Sequence, residues 1–478
     1  FNDRASTPAT GFYAPTAAGL EQIANLPGVS SYAVSLLRER LTLAPAADAA
    51  ATANFGTLFG TSGIPFGVVR PAVPSGSTDT LAQVSVDHLP DAANQFRYRF
   101  NSERIRAEQA GIGGAGFNNL KAYDMRLFSA TWVRALGSNM VNDLRLAYRR
   151  VTENHPLKDA ALNDFPNIVT PAFAFGPKDS LPQGSPVNNN YQIYNALSYA
   201  RGAHNFKFGG EFRRLIYSTN YVQFSRGYYE YADLEQFFTD SAPSTQIRGV
   251  GQTTFSGNNY KFYGFAQDDW KVTPALTLNL GLRYEYVQIP RDAALQALNS
   301  ISSIPGVIEF NVPKADGNNI APRVGFAYSP DYEGGVLGLL FGRRGQSAIR
   351  GNFSVSYGEV FGNLPLLTLP PQFQQELRPP SVPGFNTSPG FLQRGGLPAT
   401  PVPPATAAAA RAASSSFTTD FIQPETYSWV LSMQRELTPT MALELRYLGT
   451  RGRHLPVQIW FNAAIPPPLT IPTFFSQP

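Results

Sequence analysis

Hydrophobic and polar residues alternate along most of the chain beyond its first 80 positions. Over 276–286, Leu276, Leu278, Leu280, Leu282, Tyr284 and Tyr286 share one parity, while Thr277, Asn279, Gly281, Arg283 and Glu285 share the other. A period of two is that of a strand, because successive side chains of extended backbone point to opposite faces. A tilted strand needs about 9–11 residues to cross a hydrocarbon layer, and this run is long enough. The pattern recurs at Ile349, Phe353, Val355 and Tyr357, at Tyr427, Trp429, Leu431 and Met433, and at Met441, Leu443, Leu445 and Tyr447. It recurs again at Phe206, Phe208 and Phe212 and at Leu144, Leu146 and Tyr148. The intervening positions hold Arg145, Arg149, Lys207, Glu211, Arg213, Arg350, Glu444 and Arg446. Two stretches are less clean: 123–134 slips phase near Ser129, and 260–270 is ambiguous.

The joints between runs alternate in length. Tight joints fall near 91–94, 137–140, 201–204, 272–274 and 437–440, with a medium one over 331–345. Long connections fill 105–118, 156–189, 220–258, 290–317 and 361–423. The reading is an all-β chain of about twelve strands in hairpins, with every short turn at one end and every long loop at the other, as in outer-membrane barrels. Turn residues such as Gly137, Gly202, Pro274 and Pro439 suit the tight joints. Aromatic residues cluster near strand ends, as at Tyr284, Tyr286, Tyr357, Tyr427 and Trp429, where a barrel meets the headgroup layer. Tyr228, Tyr229 and Tyr231 belong either to that girdle or above it. A helical turn or two is expected over 233–239. The longest connection, 361–423, is rich in Pro and Ala and is expected to be mobile. Residues 1–80 read as a poorly ordered extracellular loop region, and 457–478 as loop or a truncated end.

Composition narrows the class. Aromatic residues make up 13% of the 478 residues and charged residues only 15%, which is low for a water-exposed surface. No run of about 18 apolar residues exists to make a spanning helix. A sheet with one greasy face in lipid must close on itself, because no backbone group can stay unpaired there. The charged residues on the opposite face cannot sit in a dry core, so the enclosed space is wet or plugged. Net charge is +4 with scattered basic residues, which suggests no nucleic-acid partner. The absence of cysteine excludes disulfides and thiol chemistry.

The stretch 263–285, Tyr-Gly-Phe-Ala-Gln-Asp-Asp-Trp-Lys-Val-Thr-Pro followed by Ala275 and Leu-Thr-Leu-Asn-Leu-Gly-Leu-Arg-Tyr-Glu, resembles a barrel hairpin of TonB-dependent receptors, closest to the Oar-like branch. Segments 201–214, 319–328 and 444–452 resemble the same branch. The resemblance spans about 81–455. It implies a bacterial outer-membrane location, a barrel of about 22 strands, an N-terminal plug domain inside it and coupling to the TonB complex. The chain departs from that pattern: a plug and a TonB box are not recognisable, it opens on Phe1 without an export signal, and it ends on a Pro-rich tail rather than a closing strand. It therefore reads as a segment of barrel wall, 81–456, from a longer protein. The expected partners are the outer-membrane lipid, the TonB complex through the plug, and an unknown solute.

Candidate chemistry is sparse. His88, His155, His204 and His454 are far apart and lack metal-ligand spacing, so no metal is expected. Gly111, Gly113 and Gly116 fit a dinucleotide-loop spacing, but a strand before and a helix after are needed, so a flexible loop is expected. Asp268 and Asp269 invite an acid–base reading, yet beside Trp270 and Lys271 they read as the strand's exit from lipid. The aromatic loop 221–238 either stacks a ligand or packs against itself. No enzyme, cofactor or catalytic residue is expected, and ligand-binding residues stay unassigned. Three functions stand open: an energised importer of a large or scarce solute, a passive channel, or a surface adhesion protein.

Overall fold

The computed structural model describes residues 11–70, 76–109, 111, 113–177, 184–359, 365–379, 389–459 and 461. Twelve long strands form the wall. We number them β1 (Ser77–His88), β2 (Asn94–Gln109), β3 (Asn119–Ala135), β4 (Met140–Asn154), β5 (Gly184–Arg201) and β6 (His204–Asn220). They continue with β7 (Asn259–Thr273), β8 (Leu276–Val287), β9 (Asn319–Tyr328), β10 (Ser347–Tyr357), β11 (Glu425–Thr438) and β12 (Met441–Arg453). Each pairs antiparallel with the next in chain order, and the short strand Thr254–Ser256 adds to the loop end of β6. The joints and loops fall where the alternation placed them. Several strands run longer than the alternation suggested: β5 starts at Gly184 and β2 ends at Gln109, because polar residues carry the ladder beyond the apolar band. The sheet is not closed, and β1 and β12 are its edges.

Register settles the two ambiguous stretches. In β3, Phe128, Ala130 and Trp132 lie opposite Phe100, Tyr98 and Phe96, and pairing runs on both sides of Ser129 without a shift. The phase does not slip there; Leu127 and Val133 are simply apolar residues on the inward parity. In β7, Phe262, Ala266 and Trp270 share the face of Phe212, Phe208 and His204. The outward face stays bare: Leu280, Leu282, Phe353 and Leu445 are all exposed. None of the helices described is long and apolar enough to cross a membrane. A bare apolar face on long antiparallel strands is the lipid-facing surface of an outer-membrane barrel.

Residues 11–70 correct the expectation of a poorly ordered loop. They contain α1 (Ala17–Ala24), α2 (Ser31–Arg40) and α3 (Ala49–Phe55), flanked by the paired strands Phe12–Pro15 and Phe66–Val69. Thr16, Ser30 and Asp48 cap the three helices through side-chain oxygens that accept from the backbone. Ala33, Val34, Leu36, Leu37 and Leu41 bury the inner side of α2 and its end. This helical spacing was visible in the sequence, but the surrounding Ala, Gly, Pro and Thr hid it.

The long loops also fold together. Strands Asn167–Val169, Ala174–Phe175, Tyr228–Glu230, Thr245–Gly251 and Gln374–Leu377, from three different loops, form a second sheet. The expected helical turn is α4 (Leu234–Phe238), capped by Asp233. One apolar core joins this sheet to residues 11–70, with Leu20, Ile23, Phe66, Phe173, Phe237 and Phe391 all buried. The N-terminal unit and the loops are thus one cap over the loop end of the wall.

Candidate functional site

Inward parity gives the site its floor: Arg149 on β4, Asn190 and Gln192 on β5, Arg213 and Tyr217 on β6 and Lys261 on β7. They line a cavity of about 810 Å3 at the loop end, completed by Gln288 from one connection and Glu359 and Gln423 from another. Every inward charged residue singled out from the alternation, Arg145, Arg149, Lys207, Glu211, Arg213, Arg283, Glu285, Arg350, Glu444 and Arg446, shares this parity in the register.

At the centre of the floor, charges neutralise one another along single strands and against a loop carboxylate. Tyr263 lies between two guanidinium groups, Arg283 at 4.6 Å and Arg213 at 5.5 Å from its ring centroid. Arg213 pairs with Glu211, and Arg283 with Glu285 at 3.0 Å. Glu359, just beyond β10, receives the Lys261 ammonium and, at 3.0 Å, the Tyr263 hydroxyl. Burial alone would raise the Glu359 carboxyl, but these donors hold it below the ordinary range. Arg145 stacks over Tyr194 at 5.3 Å. Such a surface presents fixed cations, amides and hydroxyls to a polar solute. The alternation placed the charges here; it gave no sign of Glu359, which arrives from a loop.

The cap core answers the question about loop 221–238. Tyr229, Tyr231, Phe237 and Phe238 are buried, and Tyr229 meets Phe391 edge-on at 4.9 Å. These rings pack the cap above the membrane and are not open for stacking a ligand. The Tyr229 hydroxyl accepts the Leu397 amide at 3.0 Å. Burial pushes the Tyr231 hydroxyl well above its ordinary value. Asp240 is fully buried in the left-handed region, with φ of 50°. Its two carboxylate oxygens accept the amides of Leu392 at 2.7 Å and Gln393 at 3.1 Å, tying loop 221–258 to the longest loop. Burial raises its carboxyl despite those bonds.

The longest loop is correspondingly fastened, against the expectation of mobility. In its described parts, Leu377, Phe391, Leu392 and Leu397 are buried, Arg411 donates to the Ser302 carbonyl at 2.6 Å, and Gln423 accepts from Asn319 at 2.6 Å. Part of it, and nearly all of 457–478, lies outside the described residues.

The remaining motifs fall apart as chemistry. Asp268 and Asp269 point to opposite faces. Asp268 meets His204 at 2.7 Å on the outward side, whereas Asp269 accepts from Asn279 at 2.7 Å on the inward side. Two carboxylates so divided cannot share a proton. The glycine loop is not flexible filler: the Gly113 carbonyl accepts the Thr42 amide at 2.9 Å, and a Cβ on Gly113 would come within 2.5 Å of Phe175. It lets the loop press against the cap; Ile112 lies outside the described residues. The histidines serve locally, His155 on Glu153 at 3.0 Å and His454 on Glu425 at 3.2 Å. His88 stacks on Phe96 at 6.1 Å. Among the described residues no group of three or more His, Asp or Glu could hold a metal.

An apolar band outside, charges inside, short turns at one end and long loops at the other define a transmembrane β-barrel wall. The chain matches the family model described as outer membrane beta barrel domain over residues 6–477, and it belongs to that family. It is an outer-membrane protein. No curated protein sequence matches it. Among solved structures it is similar to the outer membrane transporter YddB from Escherichia coli, at 10% identity and a TM-score of 0.49, over 81% of this chain and 41% of that one. It is also similar to a mutant of the ferric enterobactin receptor PfeA from Pseudomonas aeruginosa, at 9% identity and a TM-score of 0.42, over 80% and 43%. A third is a double mutant of the hemophore receptor HasR of Serratia marcescens, in complex with its hemophore HasA and heme, at 10% identity and a TM-score of 0.39, over 79% and 45%. The chain spans less than half the length of each.

Proposed function

We propose that this chain supplies part of the wall and the extracellular cap of a TonB-dependent importer, which carries a polar solute too large or too scarce to enter by diffusion. The observation that carries the reading is the cavity of about 810 Å3 at the loop end of the inward face, lined by Arg149, Arg213, Lys261 and amide side chains. Cations and amides at the mouth of a hydrated lumen suit a ligand rich in carboxylate, hydroxyl or amide oxygens. The family resemblance of the hairpin at 263–285 supplies the energised gate, a plug and its TonB partner. No catalytic step is proposed.

The test is solute depletion by cells carrying the full-length gene, compared with a deletion strain, before and after collapse of the proton gradient. Uptake that needs both the gene and the gradient is the expected result. Gene-dependent uptake that survives collapse would instead fit a passive channel, which would also conduct ions across a planar bilayer without an energy source. A change in cell–cell adhesion with no uptake phenotype would leave the surface-protein reading.

A further inference from the structure

The joint between β9 and β10 is the odd one among the short turns. It carries a helix, α5 (Gly335–Phe341), whose sequence Gly-Val-Leu-Gly-Leu-Leu-Phe buries none of its residues. Val336 is 73% exposed and Leu339 80%. A soluble turn does not display such a cluster without a partner.

Its contacts say where the helix lies. Arg435 shares the outward parity of Met433 and Leu431, and its guanidinium donates to the Phe341 carbonyl at 2.7 Å, holding the helix's C-terminal end. Tyr332, just before the helix, sets its ring 6.0 Å from that of Phe341, and its amide donates to the Gly342 carbonyl at 2.9 Å. Arg435 thus reaches the helix from the lipid side of the wall. Its leucines are therefore continuous with the outward band of Val324, Phe326 and Phe353. Arg343 and Arg344 follow the helix's capping Gly342 and are more than half exposed, with Glu333 at 3.8 Å from Arg343 and Asp331 at 4.0 Å from Arg344.

We infer that α5 is an interfacial anchor, with its apolar residues sunk into the inner leaflet at the foot of the wall and Arg343 and Arg344 at the phospholipid phosphates. Short amphiphilic helices bind a bilayer by just this sum of buried apolar area and headgroup attraction. The partner is the phospholipid surface.

The chain has no cysteine, so with any cysteine outside it replaced by Ser, Leu339→Cys gives a unique thiol for an environment-sensitive dye. The full-length protein is refolded into phosphatidylcholine vesicles with and without phosphatidylglycerol. Ser138→Cys, on another exposed short turn, is the reference. Expected is a blue-shifted Leu339 label, quenched several-fold more by brominated acyl chains than the Ser138 label and shielded from iodide. Adding phosphatidylglycerol should strengthen the quenching, and Arg343→Ala with Arg344→Ala should remove that increment. A Leu339 label as open to iodide as the Ser138 label overturns the proposal and leaves the helix to a periplasmic protein. Shielding that depends on protein concentration, without acyl-chain quenching, also overturns it, in favour of a second copy. Loss of lipid quenching in a variant that still shows the heat-modifiable band of a folded barrel is not a folding failure.

Discussion

Asp240 shows how one residue joins segments that are remote in sequence. It sits between α4 and the second sheet, accepts two amides from the longest loop through its side chain, and accepts the Gly390 and Phe391 amides through its carbonyl at 2.7 and 2.9 Å. Replacing it with Ala strands buried donors, at a cost of about 1–3 kcal/mol each. Because the wall does not depend on it, the cost should appear as local opening of the cap. Asp240→Ala should become sensitive to thermolysin within 389–397 while the barrel keeps its heat-modifiable migration. Its carboxyl titrates above its unfolded value because burial disfavours the charge. The sign follows: the folded cap gains most below the ordinary carboxylate range, and that gain is lost as pH rises through the raised folded value. Nicking of the native cap should therefore increase over that window, and Asp240→Asn should flatten the dependence. A pH-independent nicking rate in the native protein would refute this role. Nothing in the local sequence Thr239-Asp240-Ser241 distinguishes it from any polar turn, since its partners lie 152 and 153 residues away.

At the scale of single elements, parity decides what a strand position tolerates. Leu282 faces lipid near the middle of β8 and is 53% exposed to it, whereas Asn279 on the same strand faces the lumen and donates to Asp269. Leu282→Arg should lower the folding stability in lipid vesicles by about 2–4 kcal/mol, the cost of a charge near the bilayer midplane. Asn279→Arg keeps an acidic partner and should stay within about 1 kcal/mol of the native protein. Urea titrations of the refolded proteins measure both, and equal losses would mean that the faces are misassigned. This part of the fold was legible because lipid and lumen impose opposite demands on alternate residues. Where both demands relax, as at Leu127 and Val133 on the inward side of β3, the alternation blurred although the ladder did not. The cap was far less legible. Its short strands come from three loops and pair only in three dimensions, and Phe237 and Phe238 look in sequence like any aromatic tract. Only the helical turn at 233–239, with its Asp233 cap, was legible there, whereas the helices of residues 11–70, with their Ser30 cap and the spacing of Val34, Leu37 and Leu41, were lost among Ala, Gly, Pro and Thr.

The molecule as a whole turns on its two free edges. Among the described residues β1 and β12 each pair with one neighbour, β2 and β11 respectively. Along both strands the outward residues are apolar, Val84 and Val86 on β1 and Leu443, Leu445 and Tyr447 on β12, and all are exposed. These strands therefore lie at membrane depth, where water cannot satisfy their free amides and carbonyls, and each unpaired group there costs several kcal/mol. A curved sheet of this kind persists in lipid only when the outer sides of β1 and β12 are themselves hydrogen-bonded, so that the wall closes around the hydrated face. Hydrogen exchange on the full-length protein in a bilayer tests this at the alternate amides of 81–87 and 442–448 that β2 and β11 leave unpaired. They should be protected as strongly as their ladder-bonded neighbours. Rapid exchange confined to those amides, with the neighbours protected, would mean that the wall stays open and that water reaches its edges, which the apolar outward face of both strands argues against.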